Sequence, residues 1–117
     1  MSVTLKTRNV FLDTESFHSA GFNYSSKPFR ILISLAAKGE VHVYVTDITV
    51  REVLAHITEA VEEAVRLHKR FVHEARIIRN SKLEASAQVL VTPDTDVLKA
   101  ELTSQFENFL KQAEATV

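Results

Sequence analysis

At 117 residues the chain is long enough for one small domain with a modest core. Its 14 Lys and Arg nearly balance its 15 Asp and Glu, so no global positive charge marks nucleic acid or an anionic membrane as the partner. The absence of cysteine excludes disulfides and thiolate metal sites, which leaves oxygen and imidazole as the available metal ligands. Met1 to Asn9 lack the apolar core of a signal peptide, and no apolar run approaches the roughly 18–20 residues that span a bilayer. A cytoplasmic protein with no membrane partner is the expectation.

Asn9-Val10-Phe11-Leu12-Asp13 is a short apolar run closed by an acid, as expected of a strand buried on both faces. Phe17 to Lys27, with Gly, Asn and Ser among its aromatics, reads as an irregular loop. Pro28 suits the first turn of a helix, and Phe29, Leu32, Ile33, Leu35 and Ala36 carry the helical spacing to Lys38-Gly39, a basic last turn with glycine beyond it. Val41 to Val45 alternates and is rich in β-branched residues, which predicts a second strand. A helical crossover between two strands makes them parallel neighbours.

A long apolar stripe from Val50 to Ile78 predicts a helix running to about Asn80. Leu83 to Val91 suggests a short helix. Thr92-Pro93-Asp94 then offers an N-cap, a proline and an acid for a last helix ending near Ala113. The expectation is a single α/β domain over 1–117, incomplete, with two strands and a helix-rich remainder and without C-terminal strands to finish the sheet.

The chemistry rests on two acids. Asp13 ends the first strand, and Glu52 lies about one turn into the helix that leaves the second. Ligand sites of open parallel sheets form at the carboxyl ends of the strands, so both acids are expected to face one crevice. A divalent cation relieves the repulsion of paired carboxylates, can activate water and stabilises charge on a phosphodiester. Each acid also has a structural alternative. Asp13 can accept hydrogen bonds from the turn that follows it. Glu52 closes a capping box if Thr49 is the N-cap, and is released for the crevice if Thr46 or Asp47 caps instead.

Val10-Phe11-Leu12-Asp13-Thr14-Glu15, Gly21-Phe22-Asn23-Tyr24 and Thr46-Asp47-Ile48-Thr49-Val50-Arg51-Glu52-Val53 resemble the opening motifs of PIN-like domains, closest to a bacterial branch with a long helix after the second motif. The resemblance implies a three-layer α/β/α fold with a parallel sheet. It further implies a Mg²⁺- or Mn²⁺-dependent endoribonuclease acting on RNA, in many cases the toxin of a toxin-antitoxin pair. Asp13 matches the first acid and Glu52 the second, as metal and catalytic residues. The third and fourth acids usual in such domains have no counterpart, because Asp94 and Asp96 fall too early and read as helix capping, so the resemblance implies an incomplete active site in which Asp13 and Glu52 are half of the acid set.

His56 and Glu59 follow Glu52 on one helix face, whereas His68 and His73 are set too far around the helix to pinch an ion together. Arg66, Lys69, Arg70, Arg76, Arg79 and Lys82 read mainly as a salt-bridged, solvated face. A rival reading is a non-catalytic module that pairs through its sheet edge or helical stripe with a partner chain or with a second copy as a homodimer.

Overall fold

The computed structural model describes residues 8–117, so Met1 to Thr7, most of the segment read for a signal peptide, lie outside it. Strand β1 (Asn9–Leu12) and strand β2 (His42–Val45) pair in parallel, with Phe11 opposite Tyr44 and Leu12 opposite Val45. Helices α1 (Thr14–Ser19) and α2 (Lys27–Ala37) form the crossover between them. Helix α3 (Asp47–Glu74), a 3₁₀ turn (Arg76–Asn80), α4 (Glu84–Val89) and α5 (Thr95–Gln112) follow. The residues group into two compact units: the described chain through Ala55 together with Thr103–Val117, and His56–Leu102. No helix among the described residues is long and apolar enough to cross a membrane.

In the first unit the sheet is covered on one face. Val43 and Val45 alternate inward and are buried, whereas Phe11 is 73% exposed. The expectation that β1 is buried on both faces is therefore corrected. Parallel register sets Phe11 beside Tyr44 on the open face, where the rings stack with centroids 5.1 Å apart and recover part of the lost burial. Beyond β2, Thr116 continues the sheet as an isolated parallel bridge to Tyr44, donating its N–H to the Val43 carbonyl and accepting from Val45 N–H.

The core of this unit is aromatic. Phe17, fully buried, lies 5.3 Å from the Phe106 ring and 5.7 Å from those of Phe29 and Phe109. Tyr24 stacks on Phe109 at 5.1 Å, and its buried hydroxyl has no hydrogen-bond partner among the described residues. Burial pushes the Tyr24 phenol up to about 12 from its ordinary 10.0. The folded state thus keeps a proton that the unfolded chain releases first. The phenol's share of stability is intact below pH 10 and is lost as the pH rises through about 12. Tyr24→Phe is expected to raise stability by about 1 kcal/mol at neutral pH, since it removes an unpaired buried hydroxyl, and to flatten the alkaline decline in denaturant titrations.

Phe17 belongs to a helix where an irregular loop was expected. The Asp13 side chain caps α1, which is too short to display a periodic stripe. Helix α2 begins as expected, with Pro28 in its first turn. Both glycines then take left-handed backbone just after a helix, Gly21 at φ 61° and Gly39 at φ 72°. Gly39 N–H bonds the Ala36 carbonyl and Glu40 N–H reaches back to Leu35, closing the last turn of α2 before β2. The same closure ends α5, through Glu114 N–H to Lys111 and Ala115 N–H to Leu110, but with Glu114 at φ 50° in the glycine position. A non-glycine residue there costs about 1–2 kcal/mol, and glycine's extra chain entropy returns about 0.5–1 kcal/mol of that. Glu114→Gly should therefore stabilise the protein by about 0.5–1 kcal/mol, read as a higher denaturation midpoint.

In the second unit Ile57, Val61 and Val65 form the buried stripe of α3. Helix α3 ends at Glu74 rather than near Asn80, because the chain tightens into the 3₁₀ turn after Ala75. The short helix expected over Leu83 to Val91 is α4. His68 ties the following loop down: Nε2 lies 2.8 Å from the Val89 carbonyl and Nδ1 2.8 Å from Thr92 Oγ1. A carbonyl only accepts, so Nε2 carries the proton and Nδ1 can accept from the threonine. Asp94, rather than the expected Thr92, is the cap of α5. Its Oδ1 accepts from Val97 N–H at 3.0 Å, and its carbonyl accepts from Leu98 N–H.

Candidate metal centre

Asp13 follows β1 directly, at the carboxyl end of the parallel pair. Ser16 N–H (2.9 Å) and Ser16 Oγ (2.8 Å) both donate to its Oδ1. These two bonds, the hydroxyl's first, hold the Asp13 carboxyl below the usual carboxylate range. Oδ2 is not engaged by Ser16. A carboxylate has about four lone-pair directions, so capping α1 and accepting a cation do not compete for the same oxygen. The turn reading of Asp13 and its proximity to the sheet edge are both realised.

For Glu52 the geometry decides between the alternatives. Thr46, the residue after β2, is the cap of α3: its Oγ1 accepts from Thr49 N–H at 3.0 Å and donates to Thr49 Oγ1, and its carbonyl accepts from Val50 N–H. Thr49 is then the third residue of the helix and is itself buried, so the Thr49–Glu52 capping box does not form. Released from the cap, Glu52 accepts a hydrogen bond on Oε2 from the hydroxyl of Thr14. Thr14 is the residue next to Asp13. The contact joins positions 38 apart in sequence and brings the second acid to the end of β1.

Both acids are exposed. Two carboxylates suit Mg²⁺, which commonly takes one or two protein carboxylates and completes its octahedron with water and substrate phosphate oxygens. Among the described residues no group of three or more His, Cys, Asp or Glu side chains is placed to hold a metal ion. His56 and Glu59 are exposed and lie in the second compact unit, and Asp94 is occupied as the α5 cap.

Two supporting residues had no assigned role in the sequence reading. Ser16, three residues after Asp13, carried a capping signal. Thr14 carried none, since its partner is set by tertiary packing.

The sequence model of one protein family, described as PIN domain, matches residues 10–117. No curated protein and no solved structure matches the chain. PIN domains are in general nuclease-type proteins that depend on divalent metal. The match takes in β1 from Val10, β2, both acids and every helix among the described residues, and the chain belongs to the PIN domain family.

Proposed function

We propose that the chain is a metal-dependent endoribonuclease of the PIN type in which Asp13 and Glu52 hold one Mg²⁺ or Mn²⁺. The observation that carries this reading is the cap of α3. Because Thr46 rather than Thr49 caps the helix, Glu52 is free to reach Thr14 beside Asp13 at the carboxyl ends of two parallel strands. Asp13 offers Oδ2, held by a rigid helix cap. Glu52 offers Oε1, its other oxygen being fixed by Thr14. The bound cation would polarise a phosphodiester and lower the pKa of a coordinated water. Ser16 on Asp13 and Thr14 on Glu52 restrain each carboxylate before metal arrives, which reduces the cost of ordering them.

Incubating the chain with labelled RNA tests the reading: cleavage in Mn²⁺ that stops on chelation supports it, and RNA left intact across Mg²⁺ and Mn²⁺ concentrations sinks it. Thr14→Val removes the tether on Glu52 without removing a ligand. It should weaken Mn²⁺ binding by roughly 10-fold, as the loss of a residue that orients a metal ligand does. Calorimetric titration reads the change.

A role as toxin, with an antitoxin as partner, is consistent with this activity and is tested by whether expression arrests growth. The second reading, an interaction module pairing with itself or another chain, is favoured by the Phe11–Tyr44 pair on the open sheet face. Light scattering that shows a monomer at high concentration would count against the homodimer.

A further inference from the structure

The second compact unit has an unusual surface. Over residues 66–82 six basic residues meet one acid, Glu74, a formal charge of +5 against −6 for the rest of the chain. Two of the bases are neutralised locally, Arg66 by Glu63 at 2.6 Å and Arg70 by Glu74 at 3.1 Å, as the sequence suggested for this face. Lys69, Arg79 and Lys82 join no ion pair among the described residues, and Arg76 contacts only the His73 carbonyl, at 3.3 Å. The same surface is apolar. Ile77 is 77% exposed and Leu83 71%, and Leu67 and Phe71, one turn apart on α3, are also exposed. This unit buries three large aliphatic side chains, Ile57, Val61 and Val65, and leaves more than that number in solvent.

The two properties meet in one place. Glu74, Arg76, Ile77, Arg79 and Asn80 line a groove of about 580 Å³ along the 3₁₀ turn. Arg70 already holds the carboxylate of Glu74, which leaves Arg76 and Arg79 as the cations lining the groove beside an exposed isoleucine.

We infer that this groove is a docking site for an acidic amphipathic protein segment, whose apolar side chain covers Ile77 while its carboxylates pair with Arg76 and Arg79. Charge complementarity selects the acidic partner, and Arg presents a planar fork that matches a carboxylate with two hydrogen bonds. The exposed aliphatic side chains select protein over nucleic acid. A phosphate backbone gains nothing from Ile77 or Leu83, and bases stack on aromatic rings or guanidinium planes rather than on branched aliphatics. An amphipathic segment buries them at the centre of a contact rimmed by charge, the arrangement of a stable protein interface.

Fluorescence anisotropy on the full chain tests the site with three labelled probes: a peptide with leucines at four-residue spacing flanked by glutamates, its lysine-for-glutamate counterpart, and a single-stranded RNA of equal length. The acidic peptide should bind and the lysine peptide should not. Ile77→Ser should weaken peptide binding by about 10-fold, and the double variant Arg76→Gln, Arg79→Gln by about 10-fold or more, with unchanged circular dichroism. Absence of binding by the acidic peptide overturns the inference. So does RNA binding that falls in the arginine variant and is indifferent to Ile77→Ser, which would mark the groove as a nucleic-acid surface. Asp13 and Glu52 are untouched in these variants, so the nuclease reading stands or falls separately.

Discussion

Asp13→Asn is expected to keep the fold and lose metal-dependent RNA cleavage by on the order of 100-fold or more, whereas Asp13→Ala loses both cleavage and stability. The difference follows from the helix cap that Asp13 forms and from the ligand role proposed for it. Asn caps a helix about as well as Asp, and its Oδ1 can still accept from Ser16 N–H and Ser16 Oγ. What it lacks is the charge. Loss of a residue that merely orients a metal ligand costs about 10–100-fold in affinity or activity, so loss of a charged ligand should cost no less. Alanine removes the cap as well and should destabilise the protein by about 1 kcal/mol.

The lowered Asp13 pKa adds a pH signature. A carboxylate stabilised in the folded state contributes stability that is present above its unfolded pKa and disappears as the pH falls through the folded value. The asparagine variant should lack that acid-side loss. Thermal melts with paired cleavage assays separate the roles. Equal cleavage by Asp13→Asn and the parent would remove Asp13 from the metal site.

Phe17→Ala should be the most destabilising single substitution, by about 3–5 kcal/mol, enough to unfold a domain of marginal stability. Phe17 has no exposed surface and touches the rings of Phe29, Phe106 and Phe109, two of them edge to face. Removing it opens a cavity and also forfeits aromatic pairs worth about 0.5–1.5 kcal/mol each. The consequence reaches the site, because Phe17 lies in the helix that Asp13 caps and Thr14 begins. Phe17→Leu should be milder. If urea denaturation shows Phe17→Ala within about 1 kcal/mol of the parent, the aromatic cluster is not the core of the first unit.

The elements that were legible are those with length or alternation. Val41 to Val45 alternates, and α2 has both a proline start and a glycine end, so local sequence suffices for them. Helix α1 was hidden because its six residues contain one buried side chain, which gives no period to detect. The end of α3 was misread for a related reason. Val72, Ala75 and Ile78 keep apolar residues in register across the change to a 3₁₀ turn, so the stripe does not mark where the α-helix stops. Thr92 and Asp94 are both competent caps by residue type, and in the fold it is Asp94 that accepts from Val97 N–H while Thr92 bonds His68.

At the site, the strand-end position of Asp13 could be read from an apolar run closed by an acid. The freedom of Glu52 could only be posed as an alternative. Its resolution depends on Thr46 taking the cap and on Thr14 arriving from a distant segment, and both are properties of the assembled fold.

Mn²⁺ titration of the parent, Asp13→Asn, Glu52→Gln and the double variant tests most directly whether these two acids share an ion. Glutamine retains an acceptor for Thr14, so each single variant removes charge and little else. If both carboxylates hold one cation, each single variant should weaken binding by at least about 10-fold, and the double variant should fall short of the product of the two losses. Binding that is unchanged in either single variant, or losses that multiply as for independent sites, would contradict a shared metal centre.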